Sequence, residues 1–462
     1  MQDQSEELFS ESTELRRDLG LLESFSIVIG RIIGSGIFRT PVPIMLAVGA
    51  VSLFYGVWIL GAVATLLGAF CYAELVTMIP KSGGPYAYLK AAYPPIWTFL
   101  RGWAMFFVSE TGAIAAVALV FAEYSNSLYT SFAGEPFSRL FEVFLALGVI
   151  WSLTAVNCFG VGLSGQVQNF FSLIKLIAVG AVIFVCFSKA GELNHFTAGF
   201  WPQTFTWSTL MSVGVAMRYA FFAYSGWEGA TYVAEEVKNP RRNLPLSIIL
   251  GIAGVMLLYF AINSAYLYQL SPKAIAASKA VANDAMKMAV GTLGGVLISA
   301  AVMMNTFGNV STQVLVKART WYAMARDGLF FSPMGELHPR FKTPNKALLG
   351  QGMWASILLL AAAFAEHAYE TIIDYFSFTS SVFNISTFAA VWVLRSKYPN
   401  APRPYKVWGY PYTLIIVLVI QIWFMLTTLI TAFWPSLLGA VLTLSGLFYY
   451  YRGWIAKKIN RS

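Results

Sequence analysis

Long apolar stretches alternate with short polar connections along the whole chain. Runs of about 20 mostly apolar residues recur, and each is long enough to cross roughly 30 Å of hydrocarbon as a helix. The pattern predicts about twelve such spans. Their approximate bounds are residues 21–47, 51–79, 94–122, 140–160, 164–188, 208–236, 244–270, 288–316, 347–366, 371–394, 411–432 and 435–455. The sequence therefore predicts an all-α polytopic membrane protein with no sizeable soluble domain.

The composition supports this prediction. Of 462 residues, 57% are hydrophobic and only 11% are charged, which leaves too little polar surface for a soluble globule of this size. The first 20 residues are rich in acidic side chains and lack an apolar core, so we expect a polar tail and no cleaved signal peptide. The three cysteines, Cys71, Cys158 and Cys186, lie in or beside apolar spans, so we expect no disulfide framework.

Lys and Arg residues are unevenly distributed between alternate loops. With a cytoplasmic N-terminus, roughly 22 of the 31 basic residues fall on the cytoplasmic side and about 5 outside. This bias predicts a plasma or inner membrane protein with both termini in the cytoplasm. It also explains the net charge of +9 without a nucleic-acid partner. Four basic residues remain within spans, namely Arg31, Arg39, Lys175 and Arg218.

Small residues interrupt two of the spans. The first contains Gly34, Ser35 and Gly36 in GRIIGSGIFRTP, and the sixth contains Ser225 and Gly226 in YAFFAYSGWEGATYVAEEV. One such break is explained equally well by close helix packing. Two breaks five spans apart indicate a five-helix unit repeated with inverted topology, followed by two further helices. The expected divisions are a tail at 1–20, repeats at 21–190 and 205–395, a helix pair at 411–455 and a tail at 456–462.

A helix that unwinds in mid-membrane exposes backbone N–H and C=O groups that cannot stay unpaired in lipid. A zwitterion satisfies both kinds of group. Its carboxylate is expected near the N–H groups of Ser35, Gly36 and Ile37. Its ammonium is expected near carbonyls such as those of Ile32, Phe222 and Ser225. Gly34 and Gly36 are expected to permit this approach, because a Cβ there would occupy the ligand's space.

The two breaks belong to longer blocks spread over nearly the whole chain. These are IIGSGIF at 32–38, AELVTMIPKSGGPYAYL at 73–89, NCFG at 157–160, FFAYSGWEGATYVAEEVKNPRRNLPLSI from 221, NTFGNVSTQ and RTWYAMARDG within 305–328, KTPNKALLGQG at 342–352 and PNAPRPYKVWGYP at 399–411. Together they resemble the amino acid-polyamine-organocation superfamily and, within it, the L-type, light-chain-like amino acid transporters. The resemblance implies a LeuT-like inverted-repeat fold, a central amino acid site and transport without sodium.

The resemblance also implies roles for individual residues. Substrate contacts are expected at both breaks, and the predicted binding set is Ile32, Gly34, Ser35, Gly36, Ile37, Phe222, Ala223, Ser225 and Gly226. Phe222 resembles an aromatic gate over the external side of the substrate, although simple core packing is an alternative. Lys175 matches a fifth-span lysine whose ammonium stands in place of sodium, close to the carbonyls of Gly34 and its neighbours.

Three arginines depart from the pattern of neutral amino acid carriers. Arg31 and Arg39 stand four residues either side of Ser35, and Arg218 stands four before Phe222. They indicate either an acidic or polar substrate or gating ion pairs, and we favour ion pairs with Glu110, Glu228, Glu235 or Glu236. The predicted gating and coupling set is Lys175, Phe222, Glu228, Arg31, Arg39 and Arg218.

We therefore expect a secondary active transporter of L-amino acids that exchanges small or medium neutral substrates by alternating access, without sodium. A proton-coupled symporter using Lys175 or Glu228, a carrier of acidic or polar amino acids, and a non-transporting amino acid sensor remain alternatives. A channel is disfavoured because the polar residues cluster at two breaks instead of forming a continuous stripe.

An enzyme, a metal site and a cofactor are not expected. The three histidines, His195, His338 and His367, fall in predicted loops on different sides of the membrane. The external loop between the third and fourth spans contains no cysteine, so we expect no disulfide-linked heavy subunit. The expected partners are an amino acid and the lipid bilayer.

Overall fold

The computed structural model describes residues 17–81, 83–159 and 165–459, without the side chains of residues 165–172 and 453–459. Most of the predicted tail at 1–20 and the end of the tail at 456–462 lie outside the described residues. The predicted all-α fold is confirmed. Within the described residues, an isolated parallel bridge joins Leu19 to Val237.

The described helices follow one another in the order predicted for the spans. They are α1 (Leu21–Ile32), α2 (Gly36–Arg39), α3 (Pro41–Val48), α4 (Val51–Met78), α5 (Pro85–Ala92), α6 (Pro95–Ala104), α7 (Glu110–Ala133), α8 (Arg139–Cys158), α9 (Gly165–Ser188), α10 (Asn194–Thr197), α11 (Trp207–Ala223), α12 (Pro240–Gln269), α13 (Pro272–Ala277), α14 (Val281–Val290), α15 (Thr292–Arg326), α16 (Asn345–Ala363), α17 (Ala368–Lys397), α18 (Tyr412–Thr431) and α19 (Phe433–Ile459). A π-helical turn, Met105–Ser109, joins α6 to α7. Two 3-10 segments, Trp227–Glu236 and Ser332–Gly335, follow α11 and α15.

Each predicted span coincides with one helix or with consecutive helical pieces. Among the described residues, 10 helical segments are long and apolar enough to cross a membrane. The fifth span corresponds to α9, whose described apolar part is Leu173–Ser188. The sixth corresponds to α11 together with the 3-10 segment that follows it. The result is a polytopic helical membrane protein.

Two helices are longer than the apolar runs that predict them. The third span continues to Ala133, and the eighth, α15, begins at Thr292 and continues to Arg326. Both extensions contain polar side chains that are paired within the protein. The Asn126 amide donates to Glu142 at 2.6 Å, and the Lys317 ammonium lies 2.7 Å from a Glu110 oxygen. Hydrophobicity therefore ends before the helix does, because other helices cover these positions.

Both predicted interruptions are real breaks in the helices. The α1 helix ends at Ile32, Ile33 is extended with φ −71° and ψ 92°, and α2 begins at Gly36. The α11 helix ends at Ala223, and Gly226 has a φ of 96°, a left-handed conformation that favours glycine. The chain then continues as a tighter 3-10 segment, whereas the sequence predicts a resumed α-helix. The exact bounds of the two repeats remain a prediction.

Candidate functional site

The two breaks lie against each other at the centre of the molecule. A Cβ built on Gly36 would lie 2.7 Å from the Cα of Ala223, and one on Gly226 would lie 2.9 Å from the carbonyl oxygen of Arg31. A Cβ on Gly34 would lie 2.8 Å from the Asn309 side-chain nitrogen. At Gly36 the backbone of Ala223, and not a ligand, therefore adjoins the Cβ position. Gly36 and Gly226 allow two backbones to touch, whereas the role expected of Gly34 stays a prediction.

Tyr259, on α12, connects the two breaks. Its hydroxyl oxygen lies 3.0 Å from the carbonyl oxygen of Ile32 and 3.0 Å from that of Ala223, the last residues of α1 and α11. The side chain is fully buried and packs edge-on against Trp58, with ring centroids 5.6 Å apart. A single buried hydroxyl therefore serves two helix ends whose carbonyls have no partner within their own helices.

Lys175, on α9, contacts the end of α1 about one helical turn before Gly34, the residue near which this contact is expected. Its ammonium donates to the carbonyl oxygen of Gly30, within the last turn of α1, and not to the carbonyls of Gly34 and its neighbours. A cation at the C-terminal end of a half-helix neutralises the partial negative charge of the unpaired carbonyls there. The ammonium thus contacts the first broken helix, but at Gly30 and not at Gly34, and its role in place of sodium stays a prediction.

A cavity of about 1410 Å³ surrounds the breaks. Eight of the nine predicted binding residues line it, and these are Ile32, Gly34, Ser35, Gly36, Phe222, Ala223, Ser225 and Gly226. Ile37 does not line it and is fully buried. Of the predicted gating residues, Lys175, Phe222, Glu228, Arg31 and Arg218 line it and Arg39 does not.

The cavity extends from the breaks toward one side of the molecule only. It reaches Leu19 and Glu236, at the side where α1 begins, which we call the N-terminal side. Beyond Gly36, no residue of α2 or α3 lines it. The structure is therefore closed on the opposite side.

Polar groups at the breaks are partly paired within the protein. Ser225 donates from its hydroxyl and its N–H to the Phe222 carbonyl, at 2.7 and 3.1 Å. Ser35 precedes α2 but does not cap it with its side chain. The Ile32 carbonyl accepts one hydrogen bond, from Tyr259, and retains a second lone pair for a ligand, whereas the Phe222 carbonyl already accepts two from Ser225.

Arg39 belongs to a buried ion-pair cluster on the side opposite the N-terminal side. Its guanidinium lies 2.7 Å from a Glu123 oxygen and 3.0 Å from a Glu370 oxygen. It also lies over the ring of Tyr369, 4.9 Å from the centroid. Only 7% of the Arg39 side chain is exposed. The half-helix α2 is thus tied to α7 and α17.

Arg218 forms a second cluster on the same side. Its guanidinium donates to Asp374 on α17 and to Thr431 on α18. Asp374 stands one helical turn from Glu370, so α17 presents one carboxylate to each broken helix. Arg39 and Arg218 do form ion pairs, but with partners other than those predicted, and Arg31 forms none with the described residues. The carboxylates are Glu123, Glu370 and Asp374, and not Glu110, Glu228, Glu235 or Glu236.

Phe222 lies between the cavity and these clusters. Its ring centroid is 6.1 Å from that of Tyr369 and 5.9 Å from that of Phe376. The side chain is half-buried and lines the cavity. Its ring packs beside the same aromatic residue that lies under Arg39, and its role as an aromatic gate stays a prediction.

Charged groups on the N-terminal side are less completely paired. Arg31 lies over the ring of Tyr232, 5.5 Å from the centroid. Glu228 lines the cavity, and within the described part of the chain no Lys, Arg or His nitrogen lies within 4.0 Å of its carboxylate. The N-terminal side therefore has a buried ion pair of its own, between Lys317 and Glu110, but it also leaves the Glu228 carboxylate facing the cavity.

Four residues of this arrangement escape the sequence analysis, namely Tyr259, Glu123, Glu370 and Asp374. The carboxylates have a usable signal, because arginines within spans require acidic partners in other spans. Glu123 follows the predicted third span and Glu370 precedes the predicted tenth, so hydrophobicity places both in loops. Tyr259 has no comparable signal, since tyrosines are common in this chain.

Two broken helices that meet beside a one-sided cavity define the discontinuous-helix architecture of secondary transporters. The amino acid permease family model matches residues 19–456. The chain belongs to this family.

Two mammalian proteins illustrate its similarity to other members. It is 30% identical to the b(0,+)-type amino acid transporter 1 of Mus musculus, over 97% of this chain and 91% of that protein. It is 32% identical to the large neutral amino acids transporter small subunit 2 of Homo sapiens, over 95% of this chain and 81% of that protein. The similarity therefore extends across all the predicted spans.

Proposed function

We propose that the protein is a secondary active transporter that exchanges small or medium neutral L-amino acids across the membrane without sodium. The observation that carries the proposal is the meeting of two broken helices at a cavity closed on one side. Free backbone N–H groups at the start of α2 suit a carboxylate, and the carbonyls that end α1 and α11 suit an ammonium. The relatives named as amino acid transporters support the same substrate class.

Alternating access is proposed from the one-sided cavity. In this conformation the cavity is open on the N-terminal side, and substrate enters from there. Opening the other side requires α2 and α11 to separate from α17, which breaks the clusters of Arg39 and Arg218. Phe222 would move with α11. Arg39, Arg218 and Phe222 are therefore proposed as the gate opposite the N-terminal side, and Arg31 and Glu228 as charged groups of the N-terminal vestibule.

A neutral substrate is favoured over an acidic one. Of the three arginines that would suit an anion, Arg39 and Arg218 are already neutralised by carboxylates of the protein, and Arg31 lies over the ring of Tyr232. An acidic side chain would have to displace a buried carboxylate from its partner, at a large cost in free energy.

Sodium independence is proposed from Lys175. Its ammonium supplies a fixed positive charge at the end of α1, next to Gly30, where a metal ion would otherwise neutralise the helix end. A proton-coupled mechanism is the second candidate. It is supported by Glu228, an intramembrane carboxylate that faces the cavity without a cationic partner in the described residues.

The orientation and assembly of the protein are also proposed. The distribution of Lys and Arg supports cytoplasmic termini, which places the N-terminal side of the cavity in the cytoplasm. One relative is named a small subunit. We propose that this chain has no disulfide-linked heavy subunit, because the connection between α7 and α8 contains no cysteine.

The deciding experiment is uptake of a panel of labelled amino acids by purified protein in proteoliposomes, with either buffer or unlabelled substrate inside. Saturable uptake that requires internal substrate is the expected result for an exchanger. Uptake that is driven by a proton gradient would favour the symporter. Binding without any flux would favour a sensor, and an absence of both would refute the proposal.

A further inference from the structure

The central cavity does not end at the two breaks. It is also lined by residues of α4, α11, α17 and α18, which pack against one another. We call this region the side pocket and define it by Thr65, Phe221, Asn384, Gln421 and Phe424. The rings of Phe221 and Phe424 lie 4.8 Å apart and form its aromatic wall.

The side pocket lies at the depth of the breaks. Gln421 stands near the middle of α18 (Tyr412–Thr431), and Thr65 and Asn384 stand near the middle of α4 and α17. Thr431, which contacts Arg218 on the closed side, is ten residues further along α18, or about 15 Å at the rise of an α-helix. A ligand held at the breaks is therefore level with the pocket.

Gln421 is an unusual residue for its position. The α18 helix has a mean hydropathy of 2.5, the highest of the membrane-spanning candidates in the described residues. The Gln421 side chain is nevertheless 4% exposed, and its amide oxygen has no hydrogen-bond partner in the described residues. Leaving a buried polar group unpaired costs about 1–3 kcal/mol.

Some other buried amides in the spans make side-chain hydrogen bonds within the protein, whereas Asn305 on α15 also has an unpaired amide nitrogen. Gln351 on α16 donates to the Val314 carbonyl at 2.6 Å and accepts from the Trp321 ring nitrogen at 3.1 Å. Asn263 on α12 donates to the Tyr259 carbonyl at 2.7 Å. Asn384 on α17, like Gln421, lines the cavity and makes no side-chain hydrogen bond with the described residues. Two unpaired amides thus face one pocket.

We propose that the side pocket receives the side chain of the transported amino acid, and that Gln421 and Asn384 select a neutral side chain that carries a carboxamide or hydroxyl group. An amide offers both a donor and an acceptor, so it matches such groups without adding charge. An aliphatic side chain of equal size would leave both amides unpaired. This inference rests on the proposed amino acid transport and narrows its substrate class.

The test compares uptake of glutamine and leucine, two substrates of similar size, in proteoliposomes. Wild-type protein is expected to have the higher kcat/KM for glutamine. Gln421→Leu is expected to lower the glutamine-to-leucine ratio of kcat/KM by about 3- to 10-fold, the effect of one lost hydrogen bond, while leucine uptake is retained. Asn384→Leu is expected to change the ratio in the same direction.

Thr443→Val provides the matched control. Thr443 is buried on α19, its hydroxyl bonds to the Gly439 carbonyl at 2.8 Å, and it does not line the cavity. This variant should leave the ratio unchanged. An unchanged ratio in Gln421→Leu, an equal loss of both substrates, or a wild-type preference for leucine would each overturn the inference alone. No saturable amino acid uptake by folded wild type would instead overturn the proposed function and this inference with it.

Discussion

The hydroxyl oxygen of Tyr259 lies 3.0 Å from the carbonyl oxygen of Ile32, the last residue of the helix that ends at the first break. The same hydroxyl is equally close to the last residue of α11, Ala223. A hydroxyl has one proton, so it can donate fully to only one of these carbonyls at a time. The Tyr259 hydroxyl therefore holds the two breaks together, and its hydrogen bond can shift from one carbonyl to the other as the helices move.

Tyr259→Phe is expected to weaken both stability and transport. The substitution keeps the ring and removes the shared donor, at a cost of about 0.5–1.5 kcal/mol, so we expect a small fall in Tm and a several-fold rise in KM. Tyr266→Phe is the control, because Tyr266 is buried on the same helix and its hydroxyl has no hydrogen-bond partner in the described residues. Thermal unfolding and uptake should distinguish the two variants, and equal behaviour would contradict the role of Tyr259.

Gly36→Ala is expected to impair transport severely, and Gly36→Val to abolish it. The added Cβ would meet the Cα of Ala223, and because that atom belongs to the backbone, the two breaks must move apart. Ala223→Gly should consequently fail to rescue Gly36→Ala. Ser35→Ala should do much less, with a several-fold rise in KM from a single lost hydrogen bond.

The control for Gly36 is Gly56→Ala on α4. A Cβ on Gly56 has no heavy atom within 4 Å, and alanine stabilises a helix relative to glycine by about 1 kcal/mol. Transport by this variant should equal wild type. Normal transport by Gly36→Val would show that the two backbones need not touch.

Arg39→Met is expected to destabilise the conformation closed opposite the N-terminal side. Removing one partner of a buried ion pair costs about 3–5 kcal/mol, because Glu123 and Glu370 are left without their cation. Arg139→Met is the control. Its ion pair with Glu142 lies on the same side of the molecule, but 41% of the Arg139 side chain is exposed, so its loss should matter little.

The closed state is measured by labelling a cysteine in the cavity. Ser380→Cys, in a background without the three native cysteines, places a thiol on the cavity wall. A membrane-impermeant reagent added opposite the N-terminal side should label it several-fold faster when Arg39→Met is present. Equal labelling rates would argue against the ion-pair cluster as a gate.

Lys175→Ala is expected to slow transport strongly at every pH tested, because the end of α1 loses its neutralising charge. Replacing external sodium by choline should leave wild-type transport unchanged. Lys189→Ala, at an exposed position just beyond α9, should behave as wild type. Accumulation driven by a sodium gradient, or normal transport by Lys175→Ala, would refute the role assigned to this lysine.

The sequence alone determines the elements of this fold and the places where two of them break. Apolar runs have few options in lipid other than helices, since each backbone N–H and C=O must be paired within its own segment. Gly34, Ser35 and Gly36 mark one exception and Ser225 and Gly226 the other. The sequence also indicates that Arg39 and Arg218 must have partners, because an intramembrane charge is costly without one.

The tertiary structure alone decides what those residues contact. Glu370 and Asp374 lie more than 150 residues from the arginines that they pair with, and a charge carries no information about which carboxylate packing will bring near it. In the same way, position 36 requires a glycine because Ala223 lies against it. Tyr259 connects the two breaks because two helix ends converge on its hydroxyl. Helix formation depends on neighbouring residues, whereas these contacts depend on how all the helices pack together.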